Sequence, residues 1–317
     1  MSAQQPETEP STPIEPSGAN GPIVVGYDGS DSAKDALAWG VVEAGRLHRS
    51  LLVLHAYVWP LYELPYAVPL DPTSEQAFRE GAQTLLDEAH KLAVAQDPQV
   101  DVHTLLKIAP PAQAILEEAQ HASLVVVGSR GLGGVAGLLI GSVGVHVAAH
   151  APCPVVVIRR PNHRATGADA GQVVVGVDGS AVSDQAIEFA FEQAATRGLG
   201  LTAVHAWDHP ALDGPGLMLP LVVDFEQAER EELLMLSGVL DPYRERYPEV
   251  PVVQRLVRAR PTRAIVEAAE GAALLVVGSR GRGGFAGLLL GSVSVAALNH
   301  AHCPVAVVRP HRPAAAH

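Results

Sequence analysis

The chain has 317 residues, 48% of them hydrophobic and 18% charged, and a formal net charge of −12. That length and apolar content give room for two domains, each with a substantial core. The acidic balance, with no basic patch or aromatic ladder, excludes nucleic acid as a main partner.

Residues 1–20 are polar and rich in Pro, Glu, Ser and Thr, which predicts a disordered tail rather than a secretory leader. Residues 23–26 form a short apolar run that ends in a turn, a first strand. Ser30 or Ser32 caps a helix whose apolar face carries Ala36, Leu37, Val41 and Ala44. A second strand is predicted over residues 51–55, a Pro-rich surface loop over 58–72 and a long amphipathic helix over 74–96. Residues 102–108 alternate as a third strand, and Pro111 opens a helix that runs to 121. Residues 124–128 read Leu-Val-Val-Val-Gly, a fourth strand, followed by a glycine-rich loop and a helix that starts near Ser142. Residues 155–159 supply a fifth strand, and the polar stretch 161–171 a linker.

The pattern then repeats, with 150 added to each residue number. Val25-Gly-Tyr-Asp28-Gly-Ser30 becomes Val175-Gly-Val-Asp178-Gly-Ser180, and Leu54-His-Ala56 becomes Val204-His-Ala206. Cys153-Pro-Val155 becomes Cys303-Pro-Val305. Domains are therefore expected over residues 21–160 and 172–310, with a short tail over 311–317. Strands separated by helices pair in parallel through right-handed crossovers. The predicted fold is α/β: two tandem doubly wound domains, each an open five-stranded parallel sheet flanked by helices, Rossmann-like. Ligands in such sheets sit outside the carboxyl ends of the strands, where Asp28, His55, Ala56 and Gly128 are all expected.

The glycine loops share one spacing. Gly128-x2-Gly131-x9-Gly141-Ser142 in the first copy is matched by Gly278-x2-Gly281-x9-Gly291-Ser292 in the second. Such a loop lets backbone N–H groups approach an anion, and the Ser and free amides of the next helix can complete a phosphate site. No Asp or Glu lies between Glu118 and Asp169, and none follows Glu270, whereas Arg130, Arg280 and Arg282 stand in the loops. Part of that pattern belongs to buried elements, which lack charge in any case.

Other signatures fail. No Gly-x4-Gly-Lys-Ser/Thr is present, so this is not a P-loop nucleotidase. Gly131-x-Gly133-x-x-Ala136 mimics a dinucleotide fingerprint, but it comes late in the domain and no acid follows to hold a ribose. The charge-free run 131–158 is interrupted by glycines, prolines, His146 and His150, which suits a core loop and helix rather than a membrane span. Cys153 and Cys303, one per copy, read as small buried hydrophobes, and a reducing cytoplasm follows. His146 and His150 lie one helical turn apart, as on a metal edge, yet the second copy has Ala296 and no third ligand. His55 and His205 read as structural histidines at strand ends.

The combination of Val-Gly-x-Asp-Gly-Ser, Leu-His-Ala, the glycine motif and Cys-Pro-Val resembles the universal stress protein family, in two tandem copies from about Pro22 to Arg309. The glycine spacing is similar to that of its ATP-binding branch. The resemblance implies ATP, with Mg²⁺, as ligand in each copy. Asp28 and Asp178 would contact the ribose or the metal, and the backbone of Ala56 and Ala206 the adenine edge. Gly128, Gly131, Gly141 and Ser142, with Gly278, Gly281, Gly291 and Ser292, would hold the phosphates. Asp28 and Asp178 also fit a plain turn role before the next helix. A nucleotide-sensing stress-response module with no catalytic residues is expected, with a slow ATP hydrolase or nucleotidyl transferase as the alternative. The resemblance further implies pairing through the fifth strands, here between the two domains of one chain, and a homodimer with an unidentified protein partner.

Overall fold

The computed structural model describes residues 20–58, 72–132, 140–159, 171–207, 225–282 and 289–310. The expected tails, the linker, most of the Pro-rich loop and the middle of both glycine loops lie outside them. The first half runs β1 (Ile23–Gly26), α1 (Asp31–Leu47), β2 (Leu51–Tyr57), α2 (Pro72–Gln96), β3 (Val102–Ile108), α3 (Pro111–Glu118), β4 (Leu124–Gly128), α4 (Ser142–His150) and β5 (Val155–Ile158). The second half repeats it as β6 (Val173–Gly176), α5 (Ala181–Arg197), β7 (Leu201–Trp207), α6 (Phe225–Arg246), β8 (Val252–Arg258), α7 (Pro261–Ala268), β9 (Leu274–Gly278), α8 (Ser292–His300) and β10 (Val305–Val308).

Local chemistry explains the helix starts. Ser30 is the N-cap of α1 and accepts the Ala33 amide at 3.2 Å, and Ser180 does the same for Ser183 in α5. Pro111 and Pro261 occupy the first positions of α3 and α7, where a missing N–H costs nothing. The α3 helix ends at Glu118, short of the predicted residue 121, and the chain turns there through Ala119.

Each half is the expected open parallel sheet, in the order β3-β2-β1-β4-β5 and its equivalent. The two sheets are joined: β5 and β10 pair antiparallel, giving one ten-stranded sheet, β3-β2-β1-β4-β5-β10-β9-β6-β7-β8. The inner strands are almost wholly apolar because both faces are covered. On one face Val25, Val53 and Val126 pack with Ala36 and Leu37 of α1 and with Leu86 and Ala89 of α2, and with the equivalent residues of the second half. On the other, Val24, Val125 and Val127 meet Ile115 of α3 and Val147 of α4. Both cores run through the β5–β10 junction.

Candidate functional site

The sheet order reverses direction between β1 and β4, and the carboxyl ends of those strands open a crevice there. A cavity of about 490 Å³ fills it in the first half, lined by Gly26, Asp28, Ala56, Gly128, Gly141 and Ser142 among others. The second half has a cavity of about 830 Å³ at the equivalent place, lined by Asp178, Ala206, Gly278, Gly281, Gly291 and Ser292 among others. Gly131 lines the first as well. The residues singled out from sequence therefore meet on two equivalent rims.

Asp28 first of all ties two loops together. One carboxylate oxygen accepts the Ser30 amide at 3.0 Å in a tight turn, and the other accepts the Leu132 amide at 2.9 Å. Asp178 repeats this with Ser180, at 3.0 Å, and with Arg282, at 2.8 Å. Gly131 is explained by the same contact: a Cβ there would lie 2.6 Å from Asp28 Oδ2. The glycine thus makes room for the protein's own aspartate. Gly128 is likewise packed, because its Cβ would meet the Ser32 backbone at 2.7 Å.

Gly141 differs. It is the N-cap of α4 in an extended conformation that any residue adopts, and a Cβ there would approach nothing closer than 3.7 Å. No side chain caps α4, and Gly141, Ser142, Val143 and Gly144 line the cavity. Gly291 repeats this at the N-terminus of α8, with its nearest neighbour at 3.4 Å. The Gly141 amide donates to the Ser129 carbonyl at 2.8 Å, which closes the neck of the glycine loop, and Gly291 bonds Ser279 in the same way.

Sequence reasoning missed three contributors. Ser32 anchors the first loop: its hydroxyl bonds the Arg130 carbonyl, and it accepts the Arg130 amide at 3.3 Å. The second copy has Val182 there, and only the asymmetry between copies signalled a role. Arg159 and Arg309, at the ends of β5 and β10, are held below the ordinary guanidinium range by burial, and then by repulsion from Arg130 and Arg280 respectively. Arg130 and Arg280 stand in the loops, and Arg159 and Arg309 follow the neighbouring strands β5 and β10. Glu232 on α6 is the third. His205 directs Nδ1 at the Val177 carbonyl, 2.7 Å away, and Nε2 at Glu232 Oε2, 3.0 Å away. Both ring nitrogens are thereby engaged, and His205 and Glu232 stand at the edge of the larger cavity. His55 keeps the first bond, to the Tyr27 carbonyl at 2.7 Å, but position 82 is alanine.

Burial, with the carboxylates of Glu88 and Asp28, raises the Tyr27 phenol above its ordinary value. The His146 and His150 rings stack with centroids 4.2 Å apart, and His150 Nδ1 donates to the His146 carbonyl, so that nitrogen is already used. No group of three metal-ligating side chains occurs among the described residues. No helix among them is long and apolar enough to cross a membrane.

Fold and rim together define a class: a tandem pair of doubly wound α/β modules with a glycine-rich loop at each switch point. The model of the Universal stress protein family matches residues 20–159 and 170–309, and the chain belongs to that family. It is 38% identical over 293 residues to universal stress protein Rv2005c of Mycobacterium tuberculosis, covering 90% of this chain and 96% of that protein. A universal stress protein of Mycolicibacterium smegmatis is 34% identical over 291 residues, covering 91% and 97%. Among solved structures, a universal stress protein from Archaeoglobus fulgidus superposes with a TM-score of 0.64 at 20% identity, covering 92% of this chain and 97% of its own. A solved universal stress protein in complex with cAMP is 28% identical, with a TM-score of 0.35, covering 44% of this chain and 97% of its own.

Proposed function

We propose that each half binds one ATP, with Mg²⁺, in its rim cavity, and that the protein is a cytoplasmic nucleotide-sensing module of the stress response. The observation that carries this is the uncapped N-terminus of α4 and α8, each headed by a glycine that the protein's own packing does not require. A phosphate there accepts amides that no side chain satisfies and gains from the helix dipole. Arg130 and Arg280 line the two cavities and offer positive charge to the same phosphate. Ser142 and Ser292 offer hydroxyls at the same point, and the backbone beside Ala56 and Ala206 meets the base. Mg²⁺ would use the remaining lone pairs of Asp28 and Asp178 and would neutralise phosphate charge.

Both aspartates already accept two backbone amides, so each carboxylate is engaged in holding its glycine loop rather than poised over the cavity as a base. A sensor is therefore favoured over a hydrolase. Binding acts by tying the glycine loop to α4 or α8, which changes the rim presented to a protein partner. Because β5 and β10 pair within the chain, a homodimer uses another surface.

Denaturing freshly purified protein and identifying any released nucleotide, followed by titration with Mg-ATP, tests this. About two ATP bound per chain is expected. No binding of ATP by the full chain overturns it, and multiple-turnover phosphate release that Asp28→Asn with Asp178→Asn abolishes moves the assignment to an enzyme.

A further inference from the structure

The junction between the halves has a main chain that is blind to which half it joins. In the β5–β10 register Val156 faces Ala306, Val155 faces Val307 and Val157 faces Val305. Val156 and Ala306 are equivalent positions, so a two-fold pseudo-axis passes between them. A β5 edge could make the same ladder with another β5. Side chains must supply any preference.

They do so where α1 meets α5 across the same axis. Glu43 is fully buried, and its equivalent is Gln193. The Gln193 amide donates to Glu43 Oε1 at 2.6 Å, and Arg197 Nη2 donates to Glu43 Oε2 at 2.6 Å. Arg197 Nε also donates to Gln193 Oε1 at 3.0 Å, which closes the triad. Arg46 reaches to 3.8 Å of Glu43 from the half-exposed side, and the Arg197 guanidinium lies 5.0 Å from the Trp39 ring centroid. The equivalent of Arg197 is Leu47. Anion and cation thus sit on opposite halves, and burial holds the Arg197 guanidinium below its ordinary range while Glu43 opposes that shift.

We infer that this triad is a pairing key: the first half fits the second half, and neither fits a copy of itself. Two first halves would bury Glu43 against Glu43, with only the outlying Arg46 residues for cations. Two second halves would bury two Arg197 guanidiniums with no counterpart of Glu43, since position 193 is glutamine. A charge buried without its partner is among the costliest defects in a fold, whereas the pair itself adds little over apolar residues, so its contribution is specificity. The partner selected is the opposite half of this chain, and other fifth-strand edges lacking the complementary charge are rejected.

The test uses the full folded chain, nicked at a protease site placed between residues 160 and 170. Isotopically light and heavy samples are mixed in mild urea, returned to buffer and weighed by native mass spectrometry. Light–heavy exchange proves that the halves re-pair. The expected result is first half with second half only. Glu43→Gln with Arg197→Leu makes the triad positions alike in both halves (Gln at 43 and 193, Leu at 47 and 197), and like pairs should then appear. Glu43→Gln/Leu47→Arg/Gln193→Glu/Arg197→Leu moves the triad across the axis and should restore unlike pairing. Like pairs from the unmutated chain, or none from the double variant, overturn the inference. In the uncut chain, Arg197→Leu alone should lower the folding equilibrium constant by roughly 150- to 5,000-fold. Adding Glu43→Gln should recover most of that loss, and no recovery also overturns it.

Discussion

Replacing Gly131 by alanine presses one methyl group against the Asp28 carboxylate in the first glycine loop. The φ of Gly131 lies outside the left-handed region, so alanine brings no backbone strain. Its whole cost comes from the contact of Cβ with Asp28 Oδ2 at 2.6 Å, closer than real Cβ atoms come. The carboxylate must move, and the oxygen that moves is the one accepting the Leu132 amide at 2.9 Å. A hydrogen bond to a charged group contributes about 1.5–3 kcal/mol, and at this exposed rim water replaces part of it, so about 1.5 kcal/mol is expected. If the tethered loop is the nucleotide cradle, that loss weakens Mg-ATP at the first site about tenfold. Urea unfolding and calorimetric titration measure the two effects. The decisive comparison is with Asp28→Ala, which removes the obstructing oxygen: there Gly131→Ala should cost almost nothing further. An equal loss in both backgrounds would refute the clash with Asp28 as the reason for the glycine.

Two further outcomes follow from differences and likenesses between the halves. The Arg282 side chain lies over Gly179 in the wall of the second cavity, where the first half has the exposed Leu132. Arg282→Leu should weaken ATP more than ADP at the second site, by several-fold, and leave the first unchanged; calorimetry with both nucleotides checks this, and an unaltered ATP-to-ADP ratio would remove Arg282 from the phosphate site. Burial pushes the Cys153 and Cys303 thiols up to about 12, so neither should react with iodoacetamide at pH 8 until the protein unfolds, when mass spectrometry should find both alkylated. Because burial raises these values above the ordinary 9.0, the stability contributed by the neutral thiols is complete below pH 9. It is lost as pH rises from about 9 to about 12, which pH-dependent urea unfolding detects.

Periodicity and the internal repeat determined most of this protein. Apolar runs of strand length, separated by helices with Ser30, Pro111 and their equivalents at the starts, dictate parallel sheets, because these signals act between near neighbours in the chain. The rim was legible for the same reason: in a parallel sheet every strand ends on one side, so Asp28, Ala56 and Gly128 had to converge. Only the tertiary structure decided what each residue does there. Gly131 and Gly141 look alike in sequence, yet one is pressed against Asp28 and the other faces open cavity, a distinction set by atoms about 100 residues away or by their absence. The same holds for Glu43. In sequence it is one acid on an amphipathic helix, and only the packing of α1 on α5 buries it against Gln193 and Arg197. Local pattern fixes elements, whereas burial and charge pairing depend on distant residues meeting in space.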